Sequence, residues 1–323
     1  MLTHDEVVWG YRYILGRDPE DDATVQAHAT AMSDVPTFRR ALLLSEEFAR
    51  LSVHFLQSCW VAAPVFGGTR LMWIDLSDRY VSLGCLRDAY ETAESRFIRG
   101  VLKESDVFVD VGANVGWFTM LASTIVGESG RIYAFEARRP IVDYLQRTVQ
   151  LNRLEKVITV YAIGLSSEAR SEILIWDPAS GNGGGASFGR DDASPNMASQ
   201  TIEVQPLDSL NLGHVDVIKI DVEGAEPLVL EGAKTTIERD RPIILTEVLP
   251  SQLQRVCHCS PQQYIDFFLS RHYRGYIVDQ VCCGENIRAF PDSWGKEVVN
   301  IGFIPEERML DGSVCIEGNL RHV

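Results

Sequence analysis

At 323 residues, with 46% apolar and 23% charged residues, the chain has the makeup of an ordinary globular protein, either one large domain or a domain plus a small one. A formal net charge of -15 and a pI near 4.9 repel phosphate backbones and anionic lipid, which argues against nucleic acid or membrane as the main partner. No stretch approaches the ~20 apolar residues of a membrane span, the opening Met1-Leu2-Thr3-His4-Asp5-Glu6 has no secretory pattern, and seven cysteines are an odd count for a disulfide scaffold, so a cytoplasmic chain with reduced thiols is expected.

Residues 1 to about 58 read as helix without strand signal. Val7, Val8, Tyr11, Ile14 and Leu15 recur at helical spacing, and Gly16 with Asp18-Pro19 ends that run. A second helix is expected over about Glu20 to Met32. A third should begin at Pro36, which a first helical turn tolerates, and reach about Leu56. Pro64 and Gly67-Gly68 then punctuate the chain, giving a helical module over 1–62 and a second domain over 63–323. Leu71-Met72-Trp73-Ile74 and Tyr80-Val81-Ser82-Leu83, separated by a polar run, suggest a hairpin.

From about residue 88 helix and strand alternate. Val107-Phe108-Val109-Asp110-Val111 has the β-branched, apolar character of a buried parallel strand. Strands follow over Arg131 to Glu136, Val157 to Ile163, Val215 to Ile220 and Pro242 to Val248, then Tyr276 to Val278 and Val298 to Ile304. Helices are expected over Trp117 to Val126, Pro140 to Asn152, Ala225 to Glu238 and Pro261 to His272. Seven strands with intervening helices predict an α/β domain with a doubly wound, mostly parallel, Rossmann-like sheet.

The first strand runs into Gly112-Ala113-Asn114-Val115-Gly116 and then a helix, the context in which a glycine-rich turn binds a nucleotide. Gly112 suits a sharp turn and close approach of a ligand, and Gly116 suits close helix packing. Glu136, ending the second strand about 20 residues later, is placed to accept both ribose hydroxyls of an adenosine. The dinucleotide fingerprint is G-x-G-x-x-G, whereas here an acid, Asp110, faces the turn. An acid opposes a pyrophosphate and suits an amino group or a sulfonium, which favours S-adenosylmethionine over NAD.

Four segments, taken in order, resemble the successive motifs of the FkbM family of methyltransferases. They are Phe108 to Gly116, Tyr133-Ala134-Phe135-Glu136-Ala137, Ile218-Lys219-Ile220-Asp221-Val222-Glu223-Gly224-Ala225-Glu226, and Arg241-Pro242-Ile243-Ile244-Leu245-Thr246-Glu247. The likeness runs from about Tyr90-Glu91 to Arg308, and the run around Asp221 and Glu223 is its most specific piece. Ala137-Arg138-Arg139-Pro140 departs from the family's usual Glu-Pro and could alter the adenosine edge. The resemblance implies a methyltransferase fold using S-adenosylmethionine. It further implies cofactor contacts from Tyr90, Glu91, Asp110, Gly112, Ala113, Asn114, Gly116, Glu136, Ala137 and Ile163, and transfer to a hydroxyl of a saccharide or other metabolite. Separately, Tyr13-Ile14-Leu15-Gly16-Arg17-Asp18-Pro19 and Leu44-Ser45-Glu46-Glu47-Phe48 are similar to a short helical module often found beside glycan-modifying enzymes, and read better as a helical cap packed on the second domain.

Transfer to a hydroxyl needs alignment and a route for the proton. Asp221 and Glu223 follow the fourth strand and Glu247 lies on the fifth, at the edge where the cofactor is expected. These carboxylates could form a general base with an orienting partner, could hold Mg²⁺ (at Asp221 and Glu247), or could simply cap the following helix. Lys219 belongs to the same group, either in the chemistry or as a buried partner of an acid. Gly181-Asn182-Gly183-Gly184-Gly185-Ala186-Ser187 is either an acceptor lid or a passive loop. Cys257-His258-Cys259 with Cys282-Cys283 departs from the usual zinc spacing and reads better as incidental thiols. The reading is an O-methyltransferase acting on a saccharide or glycosylated metabolite. A polyketide or peptide acceptor, or a non-catalytic cofactor- or glycan-binding partner, is the alternative.

Overall fold

The computed structural model describes residues 2–52, 59–78, 80–178, 180, 182, 184–189, 196–278, 286–287 and 298–310. The chain forms two compact units that divide between Tyr90 and Glu91.

In the N-terminal unit, Thr3 and Glu6 form a reciprocal capping box at the start of α1 (His4–Gly10), which continues into a π-helical turn over Tyr11–Leu15. Gly16, at φ 69°, ends it. Asp21 and Asp34 cap α2 (Asp22–Ala31) and α3 (Val35–Leu43). The long third helix expected from the sequence is two helices. The chain breaks at Leu44-Ser45, where Ser45 Oγ accepts the Phe48 N–H and starts α4 (Glu46–Ser52). Val7, Tyr11, Leu15, Val25, Phe38, Leu42 and Phe48 are buried in this unit. Arg17 joins the two motifs singled out in the sequence, donating from Nε and Nη2 to the Glu47 carboxylate at 2.5 and 2.6 Å.

A hairpin is present, but with a different partner from the one expected. Residues 71–74 lie in β2 (Arg70–Asp75), which pairs with β1 (Trp60–Val65). The run at 81–86 is helix α5 (Val81–Leu86) because Asp78 accepts the N–H groups of Tyr80, Val81 and Ser82 and so caps its first turn.

The second unit is built on β3 (Val107–Val111), β4 (Arg131–Phe135), β5 (Ile158–Tyr161), β10 (Val217–Ile220) and β11 (Ile243–Val248), all mutually parallel. β14 (Val299–Pro305) adds antiparallel to β11, and β12 (Tyr273–Ile277) antiparallel to β14. The order is β12-β14-β11-β10-β3-β4-β5, the seven-stranded Rossmann-like sheet expected, with two-residue β13 (Asn286–Ile287) added outside β12. All four residues of β10 are buried. Successive residues point to opposite faces, so both faces of the sheet are covered, as parallel strands require. The described helices of this unit are α6 (Thr92–Val101), α7 (Trp117–Ser123), α8 (Ile141–Leu151), α9 (Glu226–Glu231), α10 (Lys234–Asp240), α11 (Pro250–Cys257), α12 (Pro261–Leu269) and α13 (Glu306–Leu310).

A smaller sheet interrupts this plan between β5 and β10. It contains β6 (Gly164–Leu165), β7 (Arg170–Trp176), β8 (Ser187–Phe188) and β9 (Ala198–Gln205), in the order β6-β9-β7-β8. β7 and β9 pair antiparallel from Arg170↔Val204 to Trp176↔Ala198. The expected acceptor lid at 181–187 lies partly outside the described residues.

Two glycines predict opposite effects of one substitution. A Cβ on Gly112, at φ +80°, would stand 1.8 Å from the Asp221 carbonyl oxygen, while one on Gly100, within α6, meets nothing within 4 Å. Gly112→Ala is expected to destabilise by more than about 3 kcal/mol, whereas Gly100→Ala should stabilise by about 0.5–1 kcal/mol. Chemical denaturation of the two variants checks both signs.

Candidate functional site

The glycine-rich turn sits at the carboxyl end of β3, where open α/β sheets bind ligands. Gly112 and Ala113 donate their N–H groups to the Phe135 carbonyl at 3.0 and 2.9 Å, tying the turn to β4. Asn114, at φ 50°, donates its N–H to Glu136 Oε2 at 2.9 Å. Arg138 N–H donates to Glu136 Oε1 at 2.8 Å. The Glu136 carboxylate is thus held by two backbone amides, with lone pairs to spare, and burial pushes its pKa up against those bonds. The sequence assigned Gly112 to ligand approach. What the missing Cβ accommodates here is the Asp221 carbonyl, while Gly116 makes room for Leu145 of α8, whose Cδ1 would lie 2.4 Å from a Cβ.

Asp110 is buried. Its Oδ2 accepts from Thr119 Oγ1 at 2.6 Å and its Oδ1 has no hydrogen-bond partner. Burial raises its pKa, countered by Lys219 and the Thr119 bond. Lys219 lies opposite Asp110 in the β10/β3 register. Its Nζ is 2.8 Å from Asp221 Oδ2 and 4.7 Å from the centroid of the Phe118 ring. Burial disfavours the ammonium, but the charges of Asp221, Glu91 and Asp110 outweigh it and hold Lys219 above the usual lysine range.

Further carboxylates share this edge of the sheet. Glu223, at φ 55°, follows β10, and burial with the charges of Asp221 and Glu226 pushes it up to about 7. Glu226 is buried, accepts the N–H groups of Val222 and Gly224, and is likewise raised to about 7, by burial. Glu247, near the end of β11, is pushed up to about 9 by burial and by Asp221, Glu223 and Glu226. The sequence therefore placed Asp110, Lys219, Asp221, Glu223 and Glu247 at the ends of three adjacent strands, and the structure brings them within one electrostatic neighbourhood.

Helix capping by Asp221 or Glu223 is not what the geometry shows. The start of α9 at Ala225 has no side-chain cap, and Asp221 is engaged with Lys219. The Mg²⁺ expected on Asp221 and Glu247 lacks a ligand set: among the described residues no three His, Cys, Asp or Glu side chains converge to hold a metal ion. The same holds for Cys257, His258 and Cys259, and Cys257 Sγ donates to the Gly224 carbonyl instead. Cys282 and Cys283 lie outside the described residues.

The remaining expected cofactor contacts are scattered. Ile163 follows β5 and packs on the core. Ala137 packs on Leu174, Ile202 and Val204 of the smaller sheet. Tyr90 closes the N-terminal unit, and Glu91 opens the next at φ 41°. Sequence reasoning missed Glu94 on α6, which is mostly buried and accepts from Asn300 Nδ2 at 2.7 Å. It has raised pKa through burial, eased by Lys219. Its position three residues after Glu91 on a helix that ends at the first strand was the available signal.

A family model described as the methyltransferase FkbM domain matches residues 110–278. No curated protein matches the chain. Among solved structures, methyltransferase FkbM from Methylobacillus flagellatus KT aligns at 17% identity over 92% of this chain and 58% of its own, with TM-score 0.41. The SAM-dependent O-methyltransferase TM0748 of Thermotoga maritima aligns at 14% over 67% of this chain and 65% of its own, with TM-score 0.38. Precorrin-6y C5,15-methyltransferase of Geobacter metallireducens GS-15 aligns at 13% over 68% and 88%, with TM-score 0.38. The chain spans less than two thirds of the length of the first two. Among the described residues no helix is long and apolar enough to cross a membrane.

The raised Glu247 has a consequence for stability. Its carboxyl has an ordinary value of 4.5 and ionises at about 9 in the folded chain. Between those values unfolding releases a proton, so stability falls as pH rises. Glu247→Gln should therefore match the wild type near pH 4.5 and melt at least about 2 °C higher at pH 8. Melting curves across that range test it, and parallel curves for the two proteins would contradict it.

Proposed function

Because the chain belongs to the FkbM methyltransferase family, we propose that its methyl transfer uses S-adenosylmethionine and delivers the methyl group to a hydroxyl of a saccharide or glycosylated metabolite. The observation that carries this reading is the gathering of carboxylates around a single buried lysine at the ends of β3, β10 and β11. Such an edge favours a ligand with net positive charge and a neutral, hydroxyl-bearing acceptor over a phosphate.

The residues fit the cofactor. Asp110 Oδ1 is a buried acceptor without a partner, suited to an amino group, and Glu136 retains lone pairs for ribose hydroxyls. Gly112, Ala113, Asn114 and Gly116 form the turn between them; Tyr90, Glu91, Ala137 and Ile163 enter only as the further contacts that the family resemblance implies. When bound, the cofactor supplies a methyl group activated on a sulfonium.

The protein's own task is to orient the acceptor and receive its proton. Glu223, at about 7, is poised as general base near neutral pH. Lys219 fixes Asp221 by their 2.8 Å contact, and Asp221 in turn orients the acceptor hydroxyl. Glu247, protonated below about 9, donates a hydrogen bond to the acceptor. The scheme assigns no role to Mg²⁺: Asp221 is paired with Lys219, and among the described residues no three His, Cys, Asp or Glu side chains converge to hold the ion.

Titration calorimetry should show S-adenosylmethionine binding weakened at least tenfold, on the order of 1.4 kcal/mol, by Glu136→Ala. Unchanged affinity would remove the ribose assignment. With labelled cofactor and a panel of glycan acceptors, kcat/KM should rise through about pH 7 and fall near 9. Glu223→Gln should lower kcat by about 10²–10⁴ and abolish the acidic limb. An acidic limb retained in that variant would assign the base elsewhere.

A further inference from the structure

The small sheet between β5 and β10 grips the backbone beside Glu136. Gln200 of β9 spans the segment after β4 with both ends of its amide. Its Oε1 accepts the Arg139 N–H at 3.1 Å and its Nε2 donates to the Ala137 carbonyl at 3.2 Å. Only one orientation of the amide satisfies both partners. Between them lies Arg138, whose N–H holds Glu136 Oε1 at 2.8 Å.

Two other contacts fasten the same residues to the same sheet. Ala137 packs on the buried face formed by Leu174, Ile202 and Val204. The buried Arg138 side chain places its guanidinium 5.4 Å from the centroid of Trp176, at the end of β7. An amide, an apolar contact and a cation–π pair thus converge on residues 137–139 from one small sheet.

We infer that Gln200 is a positioning residue for the cofactor. It fixes the 137–139 backbone and, through the Arg138 N–H, aims the Glu136 carboxylate at the ribose. The inference rests on the reading of Glu136 as the ribose acid. A carboxylate tied by the amides of Asn114 and Arg138 presents its free lone pairs in set directions, and ordering them beforehand spares that cost on binding. Freed from Gln200, the segment can rotate the Arg138 N–H away and leave Glu136 held at one oxygen.

The test is a double-mutant cycle on the full chain, read by calorimetric titration with S-adenosylmethionine. Gln200→Ala should weaken binding about fivefold. In a Glu136→Ala background the same change should add under about twofold, because its effect runs through that carboxylate. Gln200→Glu keeps the acceptor for Arg139 but sets a carboxylate oxygen against the Ala137 carbonyl, so it should weaken binding at least as much as Gln200→Ala. Thr201→Ala, exposed one position along β9, should bind as wild type. Unchanged affinity in Gln200→Ala overturns the inference, and so does a loss that persists in full without Glu136, which would mark a scaffold role. If Glu136→Ala alone leaves affinity unchanged, the ribose reading falls and this inference with it. Melting curves monitor folding, and Gln200→Glu carries the cycle if Gln200→Ala does not fold.

Discussion

The contact on which this edge of the sheet depends is the ion pair of buried Lys219 with partly buried Asp221. A lone ammonium at this depth would be driven neutral by desolvation, and the surrounding carboxylates would repel one another. Together they make a stable arrangement in which one cation sits below several acids. Because Lys219 lies beside Asp110 in the sheet register, the same cation serves both the strand that carries the glycine-rich turn and the strand that carries Asp221. Glu91 and Glu94 bring α6 into the same field. The surplus of negative charge is then absorbed in protonation, with Glu247 pushed up to about 9.

This arrangement makes the edge responsive to charge as well as to shape. A positively charged ligand would lower the pKa of each acid near it, so occupancy and proton count are linked. The backbone reinforces the coupling. The Asp221 carbonyl fills the space that a side chain at 112 would need, and the Asp221 N–H donates to the Val111 carbonyl at 3.0 Å. The turn at the end of β3 and the acid at the end of β10 are consequently built as one piece.

Much of this was legible from local pattern. The apolar strands announced themselves through β-branched runs, the glycine turn through its position between strand and helix, and Asp221, Glu223 and Glu247 through their places at strand ends. What failed to show followed from longer-range determinants. Residues 80–83 look like a strand by composition, but Asp78 captures the amides of Tyr80, Val81 and Ser82 and starts a helix there. Ser45 ends one helix and begins another by a single hydroxyl. β7 and β9 are rich in polar residues and flank a glycine run, so alternation was masked, and pairing across the small sheet makes them strands. The partner of Gly112 was invisible because residue 221 is more than a hundred positions away, and Glu94 was passed over because its partner, Asn300, is two hundred residues distant.

The small sheet begins and ends beside itself: Gly164 and Leu165 of β6 pair in parallel with Val204 and Gln205 of β9. A segment whose two ends are hydrogen-bonded neighbours can be lengthened, trimmed or exchanged without moving the strands it interrupts, since the distance to be closed is set by the pairing and not by what lies between. The described residues between Leu165 and Val204 therefore have the architecture of a cassette set into the Rossmann-like core. In grafting such a cassette between related chains, the side chain at 200 would have to travel together with the backbone at 137–139, because the two form one latch.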